Sequence, residues 1–285
     1  MKRTCLGFGA LAILLTIGAA AQTRDEYLDI GINHVKPDRR ADFDALTKKM
    51  VDANRRHKGD QWLAYEVAYG EQNTVYFTST RKNFAAIDQG VTAFMTAMKE
   101  AFGQAGTDKI LQDVNSCLTS SQAEIRRRRW DLSYNVPEDV AALSKLIGES
   151  RWIRSMIVHV RPGHNDAFEE QVRAIKRAAE SSSPRLTTLV SQSAVGQHGV
   201  VYYFSALRNS LAGYDGGKPF KEILSEEGYA KFTKAIAEDV SSTDTLLGHF
   251  LPELSNAPDE VAATSLDFWR PKPPSAGTKA KPKAD

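Results

Sequence analysis

The sequence predicts an α+β protein in which two similar βαββαβ units follow one another along the chain. Three observations lead to this prediction. Short motifs recur in the same order in both halves, and apolar residues alternate in some segments and recur at helical spacing in others. The composition is that of a globular protein, with 42% hydrophobic and 25% charged residues in a chain of 285.

The recurrence is clearest where the first predicted strand of each half ends. The sequence HVKP begins at His34 and its counterpart HVRP begins at His159, an offset of 125 residues (159 − 34). Farther along, Tyr76 is matched with Tyr202, and the segment 135–142 is matched with 256–263. Because the matches keep their order, we interpret them as an internal duplication.

Each half begins with a predicted strand that ends at a proline. Ile30, Ile32 and His34 alternate on one face of the first strand. Pro37 and Pro162 end the two strands, because proline cannot extend the hydrogen-bonded ladder inside a sheet. An amphipathic helix is predicted after each proline. Its apolar stripes are Phe43, Leu46, Met50 and Ala53 in the first half, and Phe168, Val172, Ile175 and Ala179 in the second.

A β-hairpin follows in each half, at 62–79 and at 186–205. Its strands are rich in aromatic and β-branched residues, and its turns carry glycine. A second helical region, in two pieces, comes next, and a last strand near 125–130 or 246–251 closes the half. The resulting order, βαββαβ, is the ferredoxin-like split βαβ plan.

We therefore predict two tandem ferredoxin-like repeats, 22–150 and 151–270, that pair as an intramolecular α+β barrel. Residues 1–21 have the basic start, apolar run and small-residue end of a signal peptide, with an uncleaved anchor as the alternative. The tail 271–285, rich in Pro, Lys and Ala, is expected to be disordered. These features predict a periplasmic or secreted protein without a stable membrane span after removal of the signal.

Charge, cysteine content and motifs exclude several classes of function. Removing Lys2 and Arg3 with the signal lowers Lys+Arg from 37 to 35, equal to the 35 Asp+Glu, which argues against binding to nucleic acid. Cys117 would then be the one remaining cysteine, so no disulfide can form within the mature chain. The signatures of nucleotide-binding loops, serine hydrolases, zinc proteases and attached haem are absent, so no cofactor and no metal is predicted.

The end of the first strand carries a resemblance to a known family. V-[KR]-P followed by Phe43 or Phe168, six residues after the proline, resembles the dimeric α+β-barrel superfamily, and the stretch 62–75 is similar to its NIPSNAP branch. The resemblance implies two ferredoxin-like units packed sheet against sheet, as a monomer with pseudo-dimeric repeats or as a homodimer. Members of the superfamily include cofactor-independent monooxygenases and haem-degrading enzymes, so the resemblance identifies no catalytic residue.

Two matched pairs of residues are candidates for ligand binding. His34 and His159 would be symmetry mates that bind a metal, shuttle protons or contact an anion; alternatively each caps the end of a strand or hydrogen-bonds a neighbouring carbonyl. Tyr76 and Tyr202 would orient a ligand with their hydroxyl groups, or pack their rings in the core.

An arginine run at 126–129 is the third candidate. On a strand, two of the four side chains point to each face, and we select Arg127 and Arg129 as the pair that holds a carboxylate or phosphate. The alternative is that the run protects an exposed sheet edge against aggregation.

Three hypotheses for the function follow. The first is a protein that binds a small, partly apolar molecule in a pocket between the two repeats, lined by tyrosine and histidine. The second is a cofactor-independent monooxygenase or a haem-handling enzyme. The third is an envelope protein that docks a partner protein with its sheets. The missing catalytic motifs and the aromatic hairpins favour the first hypothesis.

Overall fold

The protein, described by a computed structural model for residues 26–271, is built around one closed barrel of eight antiparallel strands. The predicted signal peptide and the predicted tail beyond Pro271 lie outside the described residues. The strands are β1 (Tyr27–Val35), β2 (Leu63–Tyr69), β3 (Thr74–Arg81), β4 (Leu118–Arg128), β5 (Trp152–Val160), β6 (Leu189–Val195), β7 (Val200–Arg208) and β8 (Val240–Phe250).

Helices connect the strands and follow the last one. They are α1 (Arg40–Arg56), α2 (Phe84–Ser116), α3 (Val140–Glu149), α4 (Asn165–Glu180), α5 (Phe220–Ile223), α6 (Glu226–Asp239), α7 (Asp259–Ala262) and α8 (Leu266–Trp269). None of the helices in this part of the chain is both long and apolar enough to cross a membrane.

The barrel closes within one chain, in the order β1-β3-β2-β8-β5-β7-β6-β4. The first four strands are adjacent in the order β4-β1-β3-β2, and the last four in the corresponding order β8-β5-β7-β6. The pairs β2–β8 and β4–β6 join the two sets. The predicted α+β class with a barrel inside one chain is therefore confirmed.

The last strand of each half begins earlier than the sequence predicts. β4 begins at Leu118 and β8 at Val240, whereas the predicted strands begin at 125 and 246. Their first halves are runs of serine and threonine that are exposed to solvent and therefore show no alternation of apolar residues. The predicted break in the second helical region is present: Gly103 interrupts α2 with φ 67°, and α5 and α6 are separate.

The strands bury apolar residues on both of their faces. The outer faces pack against the helices, where Val35, Phe43, Val75 and Val114 form one cluster, and Val158, Phe168, Val172 and Tyr202 form another. The inner faces contribute a third cluster, which contains Leu28, Ile30, Tyr65, Tyr76, Leu207 and Phe250. Alternation along each strand thus separates the barrel interior from the layer under the helices.

The segment after β8 completes the interior cluster. α3 packs against α7, and a Cβ added at Gly148 would lie 1.9 Å from Thr264 Oγ1, so only glycine allows this approach. Trp269 is fully buried, and its indole Nε1 donates a hydrogen bond to the carbonyl of Gly148 at 2.8 Å. The matched segments 135–142 and 256–263 contain the starts of α3 and α7, so they meet in the fold.

Candidate functional site

A cavity of about 770 Å³ occupies the end of the barrel at which β1 begins. Strands from both halves form its wall, and helices α3 and α7 contribute apolar side chains to it. About half of the lining residues are aliphatic or aromatic, including Ile30, Tyr65, Ile153, Leu207, Leu143 and Val261. A concave site of this volume is typical of a pocket for a small molecule.

Polar and charged side chains make up about half of the lining. Ser155 and Ser205 face each other across β5 and β7, with their hydroxyl oxygens 2.9 Å apart. Arg126 and Arg128 reach the cavity from the inner face of β4. The pocket therefore combines an apolar surface with hydroxyl groups, carboxylates and three guanidinium groups, the third from Arg81.

Arg126 is held in a buried network. Its guanidinium forms an ion pair with Glu124, and its Cζ lies 3.5 Å from the centroid of the Tyr203 ring. Glu124 also accepts hydrogen bonds from the Tyr203 hydroxyl at 2.8 Å and from Gln197 at 2.9 Å. Both charged residues are at least 95% buried, with exposed fractions of 5% for Arg126 and 2% for Glu124. A charge pair so far from water is stable only while both partners remain in place.

Arg128 has a looser environment. Its side chain is 10% exposed, its Nε lies 3.5 Å from Glu26 Oε1, and Nε makes no hydrogen bond within the described residues. The ring of Trp130 lies 5.5 Å from its Cζ. Burial lowers the pKa of the Arg128 guanidinium. A buried guanidinium with an unused donor is costly unless an acceptor reaches it.

Tyr65 and Tyr76 stack in the barrel interior. They are directly opposite each other on β2 and β3, with ring centroids 4.7 Å apart and planes at 6°. Burial raises the pKa of both phenols, so both hydroxyl groups stay protonated at neutral pH. Tyr65 contributes to the wall of the cavity itself.

The strand register corrects the sequence match of Tyr76 with Tyr202. Tyr76 is opposite Ile32, whereas the counterpart of Ile32 in the second half, Ile157, is opposite Tyr203. Tyr203 is therefore the equivalent of Tyr76 on the inner face. Tyr202 faces the helices, where its hydroxyl donates a hydrogen bond to Glu169 at 2.7 Å. A shift of one residue in a strand moves a side chain to the other face, so Tyr202 lies away from the cavity.

The arginine run is divided between the two faces as predicted, but the cavity receives the other pair. Arg126 and Arg128 line it, whereas Arg127 is exposed and Arg129 points outward to the helix layer. There Arg129 forms ion pairs with Glu169 on α4 and with Asp131. Arg129 thus ties the end of β4 to α4.

We expect Arg129→Met to lower the free energy of unfolding by about 1–2 kcal/mol at pH 7, because these partly buried groups are screened by solvent. Hydrogen bonds from Arg129 hold the pKa of Glu169 and of Asp131 below their ordinary values of 4.5 and 3.8. Depressed carboxyl pKa values stabilise the fold above those values and cease to do so as the pH falls through the folded-state pKa.

The stability difference between wild type and Arg129→Met should therefore be constant near neutrality and shrink as the pH falls below about 4. Urea unfolding across pH 3–7 measures it. Arg56→Met removes an exposed arginine of α1 and serves as the matched control, with little effect at any pH. A difference that does not depend on pH would contradict the assignment of the ion pairs.

The two matched histidines lie far from the cavity. His34 and His159 are near the ends of β1 and β5, whereas the cavity is at the starts of these strands. Three strands separate β1 from β5 in either direction around the barrel, so the structure does not bring the imidazoles together. His34 Nδ1 lies 3.1 Å from Thr74 Oγ1 and 3.3 Å from Glu71 Oε1, which are local contacts at the strand end.

The sequence prediction includes the arginine run but selects its outward pair, and it does not include Glu124 or Tyr203. Glu124, Arg126 and Arg128 alternate with Ile125, and this spacing alone indicates that they share the face opposite to that isoleucine. Tyr203 directly follows Tyr202 in the sequence. The match of Tyr76 with Tyr203 therefore requires an offset between the two halves that is one residue larger than the offset that matches Tyr76 with Tyr202. The cavity-lining part of α3 is apolar at helical spacing, which signals packing and not a site.

The cavity does not offer the usual ligands for haem iron. No histidine, cysteine or methionine lines it in the described part of the chain, and its tyrosine, Tyr65, is stacked and has a raised pKa that disfavours the phenolate. Residues 26–271 also contain no cluster of three or more His, Cys, Asp or Glu that fits a metal ion. The residues that line the cavity therefore do not fit haem.

Comparison with known proteins gives similarity to solved structures only. No family model and no curated protein matches the chain. An anthrone oxidase-like protein matches at 10% identity over 81% of this chain and 92% of that chain, with a TM-score of 0.49. A candidate monooxygenase from Lactobacillus acidophilus matches at 13% identity (79% of this chain, 94% of that chain, TM-score 0.47).

A haem-binding protein from Thermus thermophilus matches at 11% identity over 81% of this chain and 93% of that chain, with a TM-score of 0.44. At these identities and TM-scores, the similarity assigns neither a site nor an activity to this chain.

Proposed function

We propose that the protein binds a small, partly apolar molecule inside its barrel. The observation that carries this proposal is the cavity of about 770 Å³, which takes its wall from strands of both halves. A barrel of eight strands has an interior that side chains can fill or that can hold one small ligand. Here the interior is filled around Tyr65 and Tyr76 and open beyond them, and the open end is lined by apolar and polar side chains in about equal number.

A variant that fills the cavity tests this function. Leu207→Trp places a larger side chain on the inner face of β7, where Leu207 lines the cavity and is 6% exposed. We expect the variant to lose most of its affinity for Nile red, a neutral dye that fluoresces in apolar pockets, because the added ring occupies the binding volume. Titration of wild type and variant with the dye measures the loss.

The matched control for this titration is Leu211→Trp, the same replacement at a position that is 42% exposed outside the barrel. We expect this variant to bind the dye as wild type does. Equal dye binding by Leu207→Trp and wild type, with both folded by circular dichroism, would show that the dye does not enter the cavity and would contradict the proposal.

The architecture of the site supports a further part of the proposal, that the two halves are duplicated ferredoxin-like units of the dimeric α+β-barrel type. The supporting observations are the shared βαββαβ order and the equivalent strand orders β4-β1-β3-β2 and β8-β5-β7-β6. A barrel that closes within one chain needs no second copy, so we expect a monomer in solution. A stable dimer at micromolar concentration would count against this part.

Export remains a proposal based on residues 1–21, which lie outside the described structure. A basic start, an apolar run and a small-residue end support cleavage before Gln22. The intact mass of the protein from its source organism tests it, since a mass that includes residues 1–21 would exclude cleavage. The monooxygenase alternative stays a prediction, with no pair of side chains in the cavity that identifies a catalytic centre.

A further inference from the structure

The three arginines that line the cavity differ in how closely acidic side chains pair with them. Arg81 donates hydrogen bonds to Asp60 at 2.6 and 2.7 Å and approaches Asp29, and Arg126 is paired with Glu124. The Nε of Arg128 lies 3.5 Å from Glu26 Oε1 and makes no hydrogen bond within residues 26–271. Arg81 also keeps a buried Nε without a hydrogen bond, but both of its terminal nitrogens are bonded to Asp60, whereas the Nε of Arg128 has no partner closer than Glu26.

We propose that the molecule bound in the barrel is an amphipathic carboxylate, whose carboxylate group pairs with Arg128 while its apolar body lies along the cavity. This inference rests on the proposed function and adds the class of ligand. Arg128 reaches the cavity from β4 beside apolar residues of both halves, among them Leu28, Leu189 and Leu207. A ligand with one charged end and a long apolar part matches both surfaces at once.

The shape and charge of the guanidinium favour a carboxylate over other anions. Its planar donors match the two oxygens of a carboxylate in a bidentate arrangement. Glu26 already offsets part of the charge of Arg128, so a doubly charged phosphate adds more unpaired negative charge away from water than a singly charged carboxylate does. The nearby ring of Trp130 restricts the guanidinium by stacking contact.

Matched ligands that differ only in the head group test the inference. Decanoate and decanamide have the same apolar chain, and their dissociation constants can be measured by displacement of Nile red at pH 7. We expect decanoate to bind at least about tenfold more tightly than decanamide, the effect of one charge-assisted hydrogen-bonded pair. Decyl phosphate should bind more weakly than decanoate.

Arg128→Gln should remove the preference for decanoate, because it should lower the affinity for decanoate far more than the affinity for decanamide. Arg127→Gln, the same replacement on the neighbouring residue of the outward face, is the matched control and should keep the preference. Glu26→Gln removes the carboxylate that competes for Arg128, so it should tighten the binding of decanoate. Glu26→Gln thus tests the pairing of the ligand with Arg128 even if Arg128→Gln does not fold.

The outcomes separate the two levels of the proposal. If Nile red does not bind in the cavity of wild type, the proposed function itself is wrong; if the dye binds there and decanoate does not displace it, only the carboxylate class is overturned. If both ligands bind equally, or if the preference for decanoate survives in Arg128→Gln, the cavity binds apolar molecules but the assignment of the carboxylate class to Arg128 is overturned. Loss of the preference in Arg127→Gln alone would also overturn it.

Discussion

Arg126→Leu is expected to lower the free energy of unfolding by about 3–5 kcal/mol, the loss that follows when one partner of a buried charge pair is removed. Glu124 would remain 2% exposed in the barrel interior without its ion-pair partner. Its hydrogen bonds from Tyr203 and Gln197 would compensate only part of the cost, because neither donor carries a charge. Urea unfolding of the purified variant at pH 7 measures the change.

The double variant Glu124→Leu/Arg126→Leu distinguishes a charge pair from two independent residues. We expect it to be more stable than Arg126→Leu alone, because no buried charge is left without a partner and the leucines add apolar contact. If the double variant loses the sum of the two single effects, the side chains do not act as a pair. That result would contradict the network described around Arg126.

Trp269→Ala is expected to destabilise the protein by about 3–5 kcal/mol, the usual range for removing a large aromatic side chain from a core. Trp269 is fully buried, packs at 5.6 Å between ring centroids against Phe250, and bonds to the carbonyl of Gly148. The replacement therefore leaves a void in the core, and the carbonyl of Gly148 keeps only its hydrogen bond from Arg151 at 3.0 Å. Thermal and urea unfolding report the loss.

Two further replacements divide the effect of Trp269 into its parts. Trp269→Phe keeps an aromatic ring and removes the indole donor, so we expect a smaller loss of about 1–2 kcal/mol. Leu266→Ala changes a residue of the same helix that is 59% exposed and should stay near wild type. A Trp269→Ala variant as stable as Leu266→Ala would show that the segment after β8 does not complete the core.

The coarse fold could be predicted because it depends on local patterns. Alternation around Ile30 and Ile32, the prolines that end β1 and β5, and the helical stripe around Phe43 are each readable without the partner that they pack against. The same patterns fail where the strand is polar: the first halves of β4 and β8 are exposed serine and threonine runs, and only pairing with β1 and β5 makes them strands. The buried Trp269 had no repeat counterpart to draw attention to it.

The site was harder to predict because it depends on strand register. One residue of offset decides whether Tyr202 or Tyr203 faces the interior, and the same parity decides between Arg127 and Arg128. Sequence matches fix the order of elements but not the register, since a hairpin turn absorbs a residue without a visible signal. His34 and His159 were singled out as matched residues, yet a shared position in two repeats does not place them in the cavity.

The most direct test of the central claim is native mass spectrometry of the protein isolated from its source organism, with Leu207→Trp produced in the same way. The account predicts wild type with one small acidic molecule bound per chain and a Leu207→Trp sample without it. Tandem mass measurement of the released molecule then gives its class. Wild type without any bound molecule, together with no binding of Nile red in the cavity, would contradict the claim that the barrel is a binding site.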